Sequence, residues 1–244
     1  MALGASGSTV DAALTNFFNA FSALSQDPTS GANRLQTVAK GQALSSAMQD
    51  VATRLSSAQQ DADRSIRSQV EQVNTLASQI ASLNTSIVGA PPTTAEALRD
   101  KLNVALSSLS QIIDINVATR ADGGADVSIG NGLPLVVSEN VYQVAVQPMS
   151  NTGLADLVTG GVSITSQVTG GSLGGLLHVR DTLLPGYMNQ LDQLAYNLAN
   201  SVNQLHSAGY DLQGYAGGDF FDAPGTVAGA AAGLSVSSAI AADP

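Results

Sequence analysis

A chain of 244 residues, 44% hydrophobic but only 4% aromatic, is long enough for a sizeable core and must pack it with Ala, Leu, Val and Ile. Its net charge of −10 is lopsided: residues 121–244 hold one basic residue, Arg180, against ten acids. The clustered Lys and Arg that nucleic acid or an anionic membrane surface requires are therefore missing, and the absence of cysteine excludes disulfides, zinc–thiolate sites and Cys nucleophiles.

The first nine residues read as a small-residue leader. They have neither the basic start nor the apolar core of a signal peptide, so an extracellular destination implies another export route. No apolar run approaches the ~20 residues of a membrane span. A short amphipathic helix follows from about Val10 to Leu24, with Leu14, Phe17, Phe18, Phe21 and Leu24 at helical spacing. Pro28 stops it, and Thr29 or Ser30 can cap the next helix.

From about Gly31 to Val88 there is no proline, and Gly41 is the one break. An apolar stripe from Leu44 through Met48, Ile66, Val73 and Ile80 to Ile87 recurs about every 3.6 residues, which permits a nearly straight helix. Some 55 helical residues would reach roughly 80 Å, the spine of an elongated body. "GAPP" (89–92) ends this rod, Thr93 with Glu96 predicts a capping box, and Leu98, Leu102, Ala105, Leu109 and Ile112 mark a second helix folded back antiparallel.

The period changes to two at Ile115. "INVAT", "ADVSI", "LPLVV" and "VYQVAV" predict a meander of four short strands, and a further strand is expected at Val162 to Val168. A helical region from about Leu173 to Ser207 is then kinked or restarted at Pro185, with Leu191, Leu194, Leu198, Val202 and Leu205 as its apolar seam and Gly209 as its cap. A short strand is expected at Leu234 to Val236. The fold expected is mainly α with a β portion (α+β), an elongated helical bundle with a long straight spine helix and a small antiparallel β-meander. The bundle takes residues 10–113 and 170–222, the meander is inserted at 114–169, and 223–244 begin a further segment or form a mobile tail.

Candidate sites are few. "GGSLGG" (170–175) joins a strand to a helix as phosphate loops do, yet Thr169 stands where a first glycine would be needed and no Lys-Ser/Thr follows. Gly170, Gly171, Gly174 and Gly175 are better read as a sharp turn that lets a helix approach its neighbours. His178, Arg180 and Asp181 do not converge on a helix, so Arg180 and Asp181 read as a surface pair or an interhelix bridge. His206 suits a helix C-terminus. Asp122 and Asp126 flank a hairpin turn, and without Trp there is no stacking platform for a glycosidase. Phe17-Phe18 and Phe220-Phe221 read as packing anchors on one bundle. No catalytic, cofactor-binding or metal-binding residue is assigned, and no cofactor is expected.

Three segments carry a resemblance. "LTNFFNAFSALSQDPTSGANRLQTVAKGQALSSAM" (14–48), "VNTLASQIASLNTSIV" (73–88) and, most specifically, the Gly-Gly-x-Leu-Gly, Arg-Asp, Leu-Ala, Val-Asn-x-x-His-x-x-Gly and Phe-Phe elements of 170–221 resemble the flagellar hook-associated protein 1 family. Asp100 matches that family's Asp-x-Arg-Asp, with Leu102-Asn103 in place of Arg-Asp. The resemblance implies a truncated middle portion lacking the terminal assembly helices. It also implies a secreted, non-enzymatic structural subunit of the bacterial flagellum, an adaptor at the hook–filament junction. Its partners would be other flagellar axial proteins (the hook protein and the second junction protein) and copies of itself in an axial ring, while the fragment alone would be monomeric. Another axial protein, such as the second junction protein or a flagellin, a secreted helical adhesin and a polysaccharide-acting enzyme are the alternatives weighed.

Overall fold

In a computed structural model, which describes residues 9–243, the chain is mainly helical with two small antiparallel sheets. It divides into two compact units, a terminal unit of Met1–Ser57 with Pro185–Pro244 and a central unit of Ala58–Leu184. Helix α1 spans Val10–Gln26, and the Thr9 hydroxyl caps it by accepting the Ala12 N–H at 3.2 Å. Ser30 caps the next helix in the same way through Asn33. Helix α2 then runs without interruption over Gly31–Val88, 58 residues, as the unbroken stripe predicts.

In the terminal unit, α1, the first part of α2 and α5 (Leu184–Ser207) enclose an aromatic cluster. The two Phe pairs meet there: Phe17 lies 5.5 Å from both Phe220 and Phe221, and those two lie 4.9 Å apart, while Phe18 stays outside. Leu44, Met48, Ala195 and Ala199 complete the core. The seam of α5 differs from the predicted one. Leu198 and Val202 are buried, but Ala195 and Ala199 take the places expected of Leu194 and Leu205, which are exposed. The tail folds back into this core through Ala230, Ala231 and Leu234. The strand expected at 234–236 is a single bridge from Val236 to Phe221, between two short helices, α6 (Ala230–Gly233) and α7 (Ser238–Ala242).

The central unit packs the rest of α2, α3 (Pro92–Ile112) and α4 (Gly171–His178) around the sheets. The Thr93–Glu96 capping box does not form. Pro92 opens α3 at the first helical position, where its missing N–H costs nothing, and the Pro91 carbonyl accepts from Thr94 and Ala95. The four-stranded antiparallel meander forms, with its fourth strand cut to two residues. β1 (Ile115–Thr119), β2 (Ala125–Ile129), β3 (Leu133–Val137) and a two-residue β4 (Asn140–Val141) form the first sheet in that order. "VYQVAV" is split, because its second part belongs to β5 (Ala145–Pro148), the edge of a second sheet ordered β5–β6–β7. β6 (Ala155–Thr159) lies where no strand is expected, and only Val162–Ser163 (β7) of the expected 162–168 strand pairs in a sheet. Thr165–Gln167 there form a 3₁₀ turn. Pro134 is accommodated at a bulge, where pairing shifts between Val127–Val136 and Ser128–Pro134.

α4 and α5 are joined through one π turn, Val179–Leu183, which ends two residues before Pro185. In π register the Pro185 N–H would serve the Arg180 carbonyl, and proline has none to give. The Gln59 side chain fills the vacancy, donating to the Arg180 carbonyl at 3.0 Å. Among the described residues no helix is long and apolar enough to cross a membrane.

Gly41 has a packing reason. A Cβ there would fall 2.8 Å from the buried Phe220 ring and 3.1 Å from Val236. Gly186, exposed in α5, has nothing within 4 Å of the corresponding position. Ala is the better helix former by about 1 kcal/mol at an unhindered site. Gly186→Ala is accordingly expected to stabilise the chain by about 0.5–1 kcal/mol, and Gly41→Ala to destabilise it by about 1–2 kcal/mol through overpacking. Urea unfolding of the two variants should show shifts of opposite sign.

Candidate functional site

The glycine stretch reads as a backbone junction once its surroundings are seen. Gly171 has φ +66°, and a Cβ on it would lie 2.5 Å from the Ile112 carbonyl, so only glycine lets the chain pass the end of α3. A Cβ on Gly174 would meet the Thr169 carbonyl at 2.5 Å, and one on Gly170 would meet Asp114, whereas Gly175 faces open space. Backbone at the end of α3 lies directly against the turn at Gly171.

Nine residues further on, Arg180 has no exposed side-chain surface. Its Nη1 donates to Asp63 Oδ1 at 2.7 Å and to the Ala155 carbonyl at 2.8 Å. Nε and Nη2 hold Asp181 in a bidentate pair at 2.7 and 2.9 Å. Asp63 in turn accepts the Ala155 N–H at 2.7 Å and Arg67 Nε at 2.8 Å. Arg180 is therefore an interhelix bridge that also grips the first residue of β6. Gln59, Asp63 and Arg67 follow one another at i, i+4, i+8, so a single face of α2 presents the whole set. Burial alone would raise the Asp63 pKa, but the bonds from the Ala155 N–H, Arg67 and Arg180 outweigh it and hold the carboxyl below its ordinary value. Burial likewise opposes the charge on Arg180, and Asp181 and Asp63 more than restore it. Hydroxyl donors on Ser163 and Thr165 hold Asp156, at the neighbouring position of β6, below the usual range.

The same face of α2 continues with two amides. Asn74 donates to the Val144 carbonyl at 2.8 Å and accepts the Val144 N–H at 2.9 Å. Asn84 makes the same pair of bonds with Ala125 and adds the Ser138 carbonyl at 2.8 Å. In the terminal unit, Asn203 of α5 treats Phe221 identically, with both bonds at 2.8 Å. Each of these side chains stands in for a neighbouring strand. A buried donor or acceptor left open there would cost about 1–3 kcal/mol.

The remaining candidates are separate. His178 is exposed, whereas Arg180 is buried. The His206 ring Nδ1 meets the Gly218 carbonyl at 2.6 Å, which fixes the loop after α5. Asp122 accepts from Gly124 N–H and Arg120, and Asp126 from the Ser138 N–H, so both brace the β1–β2 hairpin and its sheet. Sequence reasoning missed Asp63 and the three asparagines. A polar residue recurring on the buried face of a helix is the signal that marks them.

Residues 1–221 match the family described as the flagellar hook-associated protein FlgK helical domain. The chain belongs to this family. It is 30% identical over 233 residues to flagellar hook-associated protein 1 of Escherichia coli K12, covering 90% of this chain and 42% of that protein. The corresponding Bacillus subtilis 168 protein is 26% identical over 248 residues, covering 89% and 49%. The solved structure of the flagellar hook junction protein FlgK from Burkholderia pseudomallei superposes with a TM-score of 0.81 at 29% identity, covering 90% of this chain and 41% of that one. The chain thus spans less than half the length of these relatives.

Within a fold of this family, the Arg180 cluster ties α2, β6 and the π turn of the central unit together. Asp63→Ala leaves the buried guanidinium short of a partner and is expected to cost about 3 kcal/mol. Asp181→Ala should cost less, because that carboxylate is partly exposed, and Asp61→Ala, which breaks a solvent-exposed pair with Arg64, should have no measurable effect. Because the folded-state pKa of Asp63 is depressed, its contribution is complete above the ordinary carboxylate pKa and is lost as pH falls through the lower folded value. Urea midpoints between pH 7 and pH 2 should show a steeper acid loss for the parent chain than for Asp63→Asn.

Proposed function

We propose that the chain is a structural part of a secreted flagellar subunit that works as an adaptor at the hook–filament junction, without catalysis. The observation that carries this reading is the family match over residues 1–221, supported by the likeness to the solved hook junction protein. The polar chemistry supports it too. The chain's fully buried cation, Arg180, spends its hydrogen bonds on two carboxylates and a strand, which makes it a fastening. Its proposed partners are the hook protein, the second junction protein and further copies of itself in an axial ring. Export would use the flagellar secretion apparatus, and the working location is the extracellular flagellum. A 58-residue helix tied to β-structure at Asp63, Asn74 and Asn84 suits transmission of torque and bending load, since strain on it is shared among separated anchor points.

Deleting the full-length gene in the source bacterium should leave hooks without filaments and release flagellin into the medium, and gold-labelled antibody should mark the boundary of hook and filament in the parent strain. Normal filaments on the deletion strain, or label along the filament, would overturn the reading. With its net charge of −10, the isolated chain is expected to sediment as a monomer at micromolar concentration.

A further inference from the structure

The apolar stripe of α5 runs beyond the core it helps to build. Leu198 and Val202 are buried, yet Leu205, next along the same stripe, is 77% exposed. It lies in a groove of the terminal unit, of about 910 Å³, with Phe18 and Phe21 of α1 and Ile240 of α7. Phe18 is half exposed there. The loop after α5 forms the other wall and holds Tyr210 and Leu212 out to solvent at 78% and 55% exposure.

This wall is fastened. Asp211 Oδ1 accepts the N–H groups of Gln213 and Tyr215 at 2.9 and 2.8 Å, Tyr210 bridges Ala216, and the Gly217 N–H donates to the Gly209 carbonyl at 2.9 Å. A Cβ on Gly217 would fall 2.3 Å from the His206 carbonyl, so the loop is seated directly on the end of α5. Exposed Tyr and Leu on a pre-ordered loop lose little entropy on binding, and buried aromatic anchors dominate interface energies. The groove's charge is one-sided. Asp211, Asp219 and Asp243 line it against Arg34 and His206, and residues 185–244 carry five aspartates and no Lys or Arg.

We propose that this groove docks an amphipathic helix of another protein. Its aliphatic side chains at i, i+3 or i+4, and i+7 would lie on Phe18, Phe21, Leu205 and Ile240, and its flanking Lys or Arg would face Asp219 and Asp243. A second copy of this chain is a poor occupant. The exposed stripe Val179, Leu183, Tyr187 on its own helices is flanked by Asp181, and the Arg180 beside it is fully buried and already paired with Asp63 and Asp181.

The test uses the whole 244-residue chain and fluorescein-labelled helical peptides of roughly 16 residues, Ala-based, with Leu at the three anchor positions. One peptide carries Lys on its flanks and its twin carries Glu. By anisotropy the Lys peptide should bind at least tenfold more tightly than the Glu twin, and added salt should weaken it. Leu205→Glu and Tyr210→Ser, both at exposed positions, should each weaken binding about tenfold with unchanged thermal melts. The double variant Asp219→Asn, Asp243→Asn should narrow the difference between the twins, and Val104→Glu in the central unit should leave binding untouched. Equal affinity of the twins, or full affinity in Leu205→Glu, overturns the proposal. So does a concentration-dependent dimer of the parent chain that Leu205→Glu abolishes, which would assign the groove to a second copy.

Discussion

A guanidinium buried away from water must find acceptors for its N–H groups, and Arg180 finds them on three stretches of chain: Asp63 in α2, the Ala155 carbonyl in β6 and its own neighbour Asp181. The cost of desolvating such an ion is several kcal/mol, and only near-complete pairing offsets it. The arrangement is therefore close to all-or-none, since a displaced strand or a rotated helix would leave a charge stranded. Pro185 belongs to the same constraint. By withholding an N–H it frees the carbonyl of Arg180, and Gln59, one turn before Asp63, takes it. One residue is thus gripped by α2 at both its backbone and its side chain, which fixes the helix rotation and the position of the π turn together.

The asparagines extend this logic with neutral chemistry. Short strands that meet a helix have backbone groups no helix can satisfy, because a helix uses its own internally. A primary amide has one donor and one acceptor in the geometry of a peptide edge, so it can pair with both groups of a single residue. Asp63, Asn74 and Asn84 lie eleven and ten residues apart, close to three turns each, and so share one face of α2. The apolar stripe gives that face its adhesion, and the polar residues set the register of the strands upon it. Asn203 does the same for Phe221, which holds the aromatic cluster of the terminal unit in place.

Helices were legible in the sequence because their signals are local and repeated. α2 begins and ends where the proline-free stripe does, at Gly31 and Val88. The meeting of Phe17 with Phe220 and Phe221 was legible because aromatics are so scarce that each had to matter. The errors arose where a local signal met a non-local one. Thr93 and Glu96 form a good capping box by spacing, but Pro91 and Pro92 start the helix two residues earlier. β6 went unseen because Asp156 breaks its apolar run, although hydroxyls from β7 and the following turn satisfy that carboxylate. Of the Arg180 cluster only the Arg-Asp pair was visible. Asp63 is 117 residues away, and its place on the buried face of α2, between Ala62 and Ile66, marks it as covered without naming its partner.

What the molecule does with its polar atoms bears on what kind of protein it is. A catalytic carboxylate needs lone pairs that remain open to a substrate and a cleft that leads to them. Asp63 has both oxygens engaged, by the Ala155 N–H and Arg180 on one side and Arg67 on the other. The groove of the terminal unit is accessible, but phenylalanine, leucine and isoleucine make up its floor. Buried polarity is used for register, while exposed Tyr210 and Leu212 are held out on the fastened loop after α5. That division suits a part that must keep its shape under load while presenting a surface to a neighbour. It follows from the composition: with few aromatics and few cations, the chain builds its specificity from amide pairs, the buried Arg180 cluster and glycines that let backbones touch.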